Sequence, residues 1–144
     1  MELEKLPIIN GIMYSNGNID NIEISVQDRK RTLCKQECNI LCDNEIDYTY
    51  AYPSAELIVE EMNCKIICGG GSYGGDGFIL AVSLDSNQMI WLASFDESNP
   101  FVSIYREKQQ IYVTNNCDEV WRIDIIHSQC IEISIVKNGF YFGR

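Results

Sequence analysis

Histidine, proline and, across the middle of the chain, positive charge are all scarce. One histidine and three prolines stand among 144 residues. The lone His127 cannot build a multi-histidine metal site, and as a catalytic base it would need a nucleophile and an orienting group that no motif supplies. It reads as a turn residue. No stretch approaches the roughly 20 apolar residues of a membrane-spanning helix. The opening Met1-Glu2-Leu3-Glu4-Lys5 lacks the basic and apolar regions of an export signal, which predicts a cytoplasmic protein. Seven cysteines without such a signal predict reduced thiols, some acting as small buried hydrophobes, rather than a disulfide framework.

Between Gln36 and Tyr105 a single base, Lys65, faces eleven acids: Glu37, Asp43, Glu45, Asp47, Glu56, Glu60, Glu61, Asp76, Asp85, Asp96 and Glu97. The rest of the chain is balanced, so the formal charge of −10 belongs to this middle stretch. Such a distribution predicts an acidic surface on an otherwise neutral molecule. It repels nucleic acid and anionic lipid and speeds encounter with a cationic protein.

The length and a hydrophobic content of 46% suit a single globular domain over residues 1–144. Strand-like runs separated by short polar turns dominate the second half. Phe78 to Leu84 and Met89 to Phe95 flank Asp85-Ser86-Asn87-Gln88, Phe101 to Tyr105 and Gln110 to Thr114 flank Arg106 to Gln109, and Val120 to Ile126 pairs across His127-Ser128-Gln129 with Cys130 to Val136. A last strand is expected at Phe140 to Phe142. In the first half Pro7 to Tyr14 and Asn21 to Gln27 read as strands. Asp47 to Tyr52 alternates with period two, which puts its three tyrosines on one face. Ser54 can cap a short helix through Met62 with Ala55, Ile58, Val59 and Met62 as its apolar stripe, although Leu57 and Val59 also suit a strand; the helix is the reading taken. The expected fold is mainly β: an antiparallel meander or sandwich with blade-like hairpins and at most one or two short helices.

Val82-Ser83-Leu84, turn, Met89-Ile90-Trp91-Leu92 recurs 41 residues later as Ile123-Asp124-Ile125, turn, Cys130-Ile131-Glu132-Ile133. A fainter copy lies at Ile24-Ser25-Val26, Asp28 to Arg31, Thr32-Leu33-Cys34. These segments resemble the outer hairpin of blades in quinoprotein-like and WD-type propellers, whose period is about 40–45 residues. A closed propeller takes at least about four blades, more than this chain can supply, so a smaller sandwich is expected.

Gly69-Gly70-Gly71-Ser72-Tyr73-Gly74-Gly75-Asp76-Gly77 satisfies G-x-G-x-x-G formally, but an apolar strand follows at Phe78 where a dinucleotide fingerprint must open a helix. It reads as a flexible loop between strands, able to carry contacts. Cys34, Cys38 and Cys42 recur every fourth residue, as do Cys64 and Cys68. The first three depart from the cluster motif of radical S-adenosylmethionine enzymes, whose second gap is one residue shorter, and zinc sites usually want closer pairs or histidines. No metal and no cofactor are expected, and core packing is the simplest role for these sulfurs. No catalytic constellation is legible, so the chain reads as a non-enzyme.

Tyrosine gives large, rigid contact area, and carboxylates give charge-assisted hydrogen bonds to a partner's Arg and Lys. The expected partner-binding set is therefore Asp43, Glu45, Asp47, Tyr48, Tyr50, Tyr52, Glu56, Glu60, Glu61, Asp76, Asp96 and Glu97. In size, acidity and lack of catalytic motifs the chain resembles the immunity proteins of bacterial contact-dependent inhibition and related polymorphic toxin systems. That resemblance implies a basic partner, a cognate toxin such as a nuclease, inhibited by direct protein-protein interaction. The alternative is an accessory module that binds a peptide or carbohydrate through the glycine-rich loop and Trp91.

Overall fold

A computed structural model describes residues 5–36 and 46–140. Its strands are β1 (Lys5–Ile8), β2 (Gly11–Tyr14), β3 (Ile19–Gln27), β4 (Lys30–Lys35), β5 (Asp47–Tyr50), β6 (Tyr52–Val59), β7 (Cys64–Gly70), β8 (Gly77–Ser83), β9 (Met89–Phe95), β10 (Phe101–Glu107), β11 (Gln110–Asn115), β12 (Val120–His127) and β13 (Cys130–Lys137). Every pairing is antiparallel. Seven strands form one sheet in the order β4-β3-β2-β9-β8-β7-β6, and β10 to β13 form a second as a plain meander. The β1-β5 ribbon is separate. The mainly β antiparallel expectation holds.

Burial explains why the large sheet lies between two apolar layers. Its central strands read as near-continuous apolar runs, and successive side chains fall on opposite faces. Ile66, Cys68, Ile79, Ala81, Trp91, Ala93 and Phe95 enter the space between the two sheets, where they meet Phe101, Ile111, Val113, Trp121, Ile123 and Ile131. Ile67, Phe78, Leu80, Val82 and Leu92 occupy the other face with Ala51 and with the flanking Leu6, Met13 and Met89. Strand β11 instead alternates strictly between buried and half-buried positions, as a sheet covered on one face should. Trp121 is the hub of the inter-sheet core, with Phe95 and Phe101 packed edge-on against it at 5.1 Å each.

Polar contacts join the layers at both ends. The Tyr14 hydroxyl accepts the Ile131 N–H at 3.0 Å and reaches Asp20 Oδ2 at 3.1 Å. Burial pushes the Tyr14 phenol up to about 12. At the opposite end Glu119 is fully buried and accepts Arg31 Nε at 3.0 Å and Trp121 Nε1 at 2.8 Å, while Arg31 Nη2 donates to the Glu97 carbonyl at 2.9 Å. One ion pair thus ties β4, the β9-β10 connection and the β11-β12 turn together.

Three expectations need correction. The helix from Ser54 to Met62 is strand β6, followed by a single 3-10 turn over Glu60–Met62. Ala55, Leu57 and Val59 alternate inward against the core, and pairing with β7 outweighs the competing helical stripe. Pro53 suits the edge position. The run Pro7 to Tyr14 divides into β1 and β2, because Asn10 takes a left-handed φ of 52° and turns the chain between the ribbon and the sheet. The repeated hairpins exist, β8-β9 in the centre of the large sheet and β12-β13 at the edge of the small one, and they stand in facing layers as the expected smaller sandwich requires. Phe140 is exposed and outside any strand, and the remainder of the expected terminal strand lies outside the described residues.

Candidate functional site

The glycine-rich string closes the β7-β8 hairpin at one end of the large sheet, with Gly70 paired to Gly77. Gly74 takes a φ of +87°, which only glycine adopts without strain. Asn99 N–H donates to the Gly75 carbonyl at 2.7 Å, joining this hairpin to the β9-β10 connection.

Strand β5 lies against the same hairpin. Ser72 N–H donates to Thr49 Oγ1 at 2.8 Å, and the two hydroxyls are 3.1 Å apart. Tyr73 Oη donates to the Tyr48 carbonyl at 3.4 Å. From Tyr48 to Tyr52 the chain alternates strictly, with Thr49 and Ala51 buried and the tyrosines outward. Tyr48, Tyr50, Tyr52 and Tyr73 are 55%, 51%, 58% and 64% exposed. Tyr48 and Tyr50 of β5 and Tyr52 at the start of β6 are therefore surface groups and not core. Tyr73 joins them from outside the expected set; the signal for it is an aromatic set inside a glycine string, where nothing local can bury it. The Lys5 ammonium stands 5.2 Å from the Tyr50 ring centroid, a cation–π contact within the ribbon.

The acids of the expected set do not gather. Asp47 is exposed at the start of β5, and Asp96 and Glu97 are exposed on the β9-β10 connection at the hairpin end. Asp96 N–H donates to Asn10 Oδ1 at 3.0 Å, and both residues line a cleft of about 440 Å³ with Asn21, Glu23, Gln36 and Glu97. Glu60 and Glu61 follow β6 at the other end of the sheet, where Asp85 also lies. Glu61 pairs with Arg106, whose hydrogen bond holds that carboxyl below its ordinary range. Asp85 accepts Asn63 Nδ2 at 2.7 Å. Glu56 sits mid-strand, 3.6 Å from Lys65 Nζ. The single acidic face expected from the sequence is thus divided between two ends, because each antiparallel turn carries the chain the length of the sheet.

Asp76 also departs from expectation, for it is 1% exposed and offers no surface contact. Its Oδ1 accepts the Tyr73 N–H at 3.1 Å. Its Oδ2 is, among the described residues, the buried side-chain oxygen or nitrogen that has no hydrogen-bond partner. Trp91 is equally buried in the inter-sheet core, so it cannot serve as a ligand platform beside the glycine loop. Asp43 and Glu45 lie outside the described residues.

Among the thiols, Cys34 is exposed on β4, whereas Cys64 and Cys68 share the inward face of β7 and Cys38 and Cys42 lie outside the described residues. Burial raises the Cys64 thiol and pushes that of Cys68 up to about 12. His127 is exposed at the end of β12, its Nδ1 accepting Gln129 N–H at 3.1 Å. Among the described residues no three histidines, cysteines or acids gather to hold a metal, and no helix is long and apolar enough to cross a membrane.

No family model, curated protein or solved structure matches this chain.

Proposed function

We propose that this is a cytoplasmic binding protein that captures a basic protein through the tyrosine rim of the glycine hairpin and the carboxylates beside it, in the manner of an immunity protein blocking a cationic toxin such as a nuclease. The observation that carries this reading is the exposure of Tyr48, Tyr50, Tyr52 and Tyr73 by more than half, each next to a backbone fixed by buried neighbours. Tyr73 is held to β5 at the Tyr48 carbonyl and Tyr52 pairs with Gly70 at the base of the same hairpin, so these rings stand at one end of the sheet, where exposed aromatic area suits a partner. Rigid tyrosines supply contact area at small entropic cost, and Asp47, Asp96 and Glu97 supply charge of one sign around them. The footprint is narrower than the acidic segment of the sequence, since it leaves out Glu60 and Glu61 at the far end and the buried Asp76.

Capture from the source cell tests this directly. The wild-type chain is expected to retain one basic protein, and Tyr50→Ala with Tyr73→Ala to weaken its binding by about 2 kcal/mol or more, roughly 30-fold. Retention unchanged by the two substitutions would remove the reading. A peptide or carbohydrate ligand is the second reading, favoured by Tyr73 standing as an exposed ring at the hairpin tip. It predicts that Gly74→Ala with Gly75→Ala abolishes ligand capture while Asp96→Asn with Glu97→Gln leaves it intact.

A further inference from the structure

One base stands inside the surface that the exposed tyrosines form. In the β1-β5 ribbon Lys5 is the cross-strand partner of Tyr50, and Pro7 that of Tyr48. Side chains directly opposite on one face of an antiparallel pair are near neighbours, so the register itself brings the ammonium to the ring. Lys5 Nζ lies 5.2 Å from the Tyr50 ring centroid, inside the roughly 6 Å over which an aromatic face attracts a cation. Leu6 turns inward against the outer core layer, which leaves Lys5 and Tyr50 on the solvent side. Lys5 takes part in none of the ion pairs of the described residues. The ring alone therefore holds the ammonium, and an exposed contact of this kind shifts an equilibrium by only about two- to fivefold.

We infer that the face of Tyr50 is the seat of an arginine side chain of the basic partner, which Lys5 fills in the free chain and yields on binding. This seat belongs to the tyrosine rim proposed above and depends on that reading. The chemistry that the position accepts is already in place there: a cation over an aromatic face that is more than half exposed. Arginine is the better occupant, because its planar guanidinium is less strongly hydrated than an ammonium and stacks flat on a ring. Lys5 opposes such a group in two ways. Its charge repels any incoming cation, as a base placed elsewhere would, and its ammonium covers the Tyr50 ring, which no other base does.

Titration of the full chain with a hexa-arginine peptide, followed through the Tyr50 ring protons by NMR, separates the two. Lys108→Gln removes the same charge at the β10-β11 turn, which the Arg106–Glu61 pair places at the opposite end of the molecule. Lys5→Gln is expected to tighten peptide binding about threefold more than Lys108→Gln does. That excess is expected to vanish when the same two substitutions are compared in a Tyr50→Leu background, since the coupling between Lys5 and the ring is then gone. Peptide binding that shifts the Tyr50 resonances yet responds equally to Lys5→Gln and Lys108→Gln would overturn the role of Lys5 and leave the tyrosine rim standing. An excess that persists in Tyr50→Leu would assign the effect to local charge and overturn the seat. A peptide that does not bind, or binds as well to Tyr50→Leu as to the wild type, would overturn the seat and the rim together.

Discussion

At the scale of single residues, the most consequential group is Glu119. It is wholly buried, and its charge is matched by Arg31, itself almost without exposure. Removing one partner of a buried pair leaves the other as an uncompensated charge in a dry interior, at a cost of about 3–5 kcal/mol. Arg31→Met is therefore expected to lower the unfolding free energy by about 3 kcal/mol or more. Adding Glu119→Gln is expected to restore part of that loss, since a neutral amide still accepts the Trp121 N–H. Urea unfolding of the two variants checks both statements, and a double variant no more stable than Arg31→Met would assign the loss to packing instead. Tyr14 and Cys68 add a dependence on alkaline pH. Both are raised by burial to about 12, from 10.0 and 9.0 respectively. A group whose folded value is raised contributes fully below its unfolded value and loses that contribution as pH climbs to the folded one. The contribution of these two groups is expected to be level below pH 9.0 and to fall from there to about 12. Tyr14→Phe is expected to weaken the fold at neutral pH by about 1 kcal/mol, by orphaning the Ile131 N–H, and to flatten the alkaline decline. Urea midpoints at neutral pH and at about pH 11 separate the two effects.

At the scale of elements, the parts of the fold legible in the sequence were those whose periodicity and turn chemistry agreed. The β8-β9 and β12-β13 hairpins announce themselves through the polar turns Asp85-Ser86-Asn87-Gln88 and His127-Ser128-Gln129, and β10-β11 through the charged turn Arg106 to Gln109, each between β-branched runs. The shared outward face of Tyr48, Tyr50 and Tyr52 was legible for the same reason, although the single strand expected over Asp47 to Tyr52 divides at Ala51 into β5 of the ribbon and β6 of the large sheet. Strand β6 was not, because Ala55, Ile58, Val59 and Met62 satisfy a helical stripe while Ala55, Leu57 and Val59 satisfy a strand. Only the neighbouring β7 resolves that ambiguity, and long-range pairing leaves no local mark. Strand β7 itself carries Cys64 and Cys68 at an even offset that fits either a helix or a strand, so the same ambiguity hid it. The unpartnered Asp76 oxygen was invisible for a different reason: burial of a loop aspartate depends on Thr49 of β5 and Gly71 just after β7 coming together from distant parts of the chain.

At the scale of the whole molecule, charge that is contiguous in sequence becomes divided in space. Strand β6 spans about 26 Å, so Tyr52 at its start and Glu60 just after its end stand on opposite ends of the sheet. Asp96 and Glu97 return to the hairpin end because β9 runs back from the Asp85 turn. The overall charge of −10 can draw a cationic partner toward the molecule as a whole. Orientation within the encounter, however, belongs to the carboxylates beside the tyrosine rim, since exposed charges more than about 10 Å away are screened at ordinary salt. Two charge-matched variants distinguish these contributions. Asp96→Asn with Glu97→Gln and Glu60→Gln with Asp85→Asn each remove two negative charges. The first is expected to slow association with the captured basic partner by about tenfold at low salt, and the second by less than about threefold. Stopped-flow association rates over a salt series give both numbers. Equal slowing by the two variants would show that the partner reads the net charge and not the hairpin end, and a larger effect of the Glu60 and Asp85 pair would move the footprint to the opposite end of the sheet.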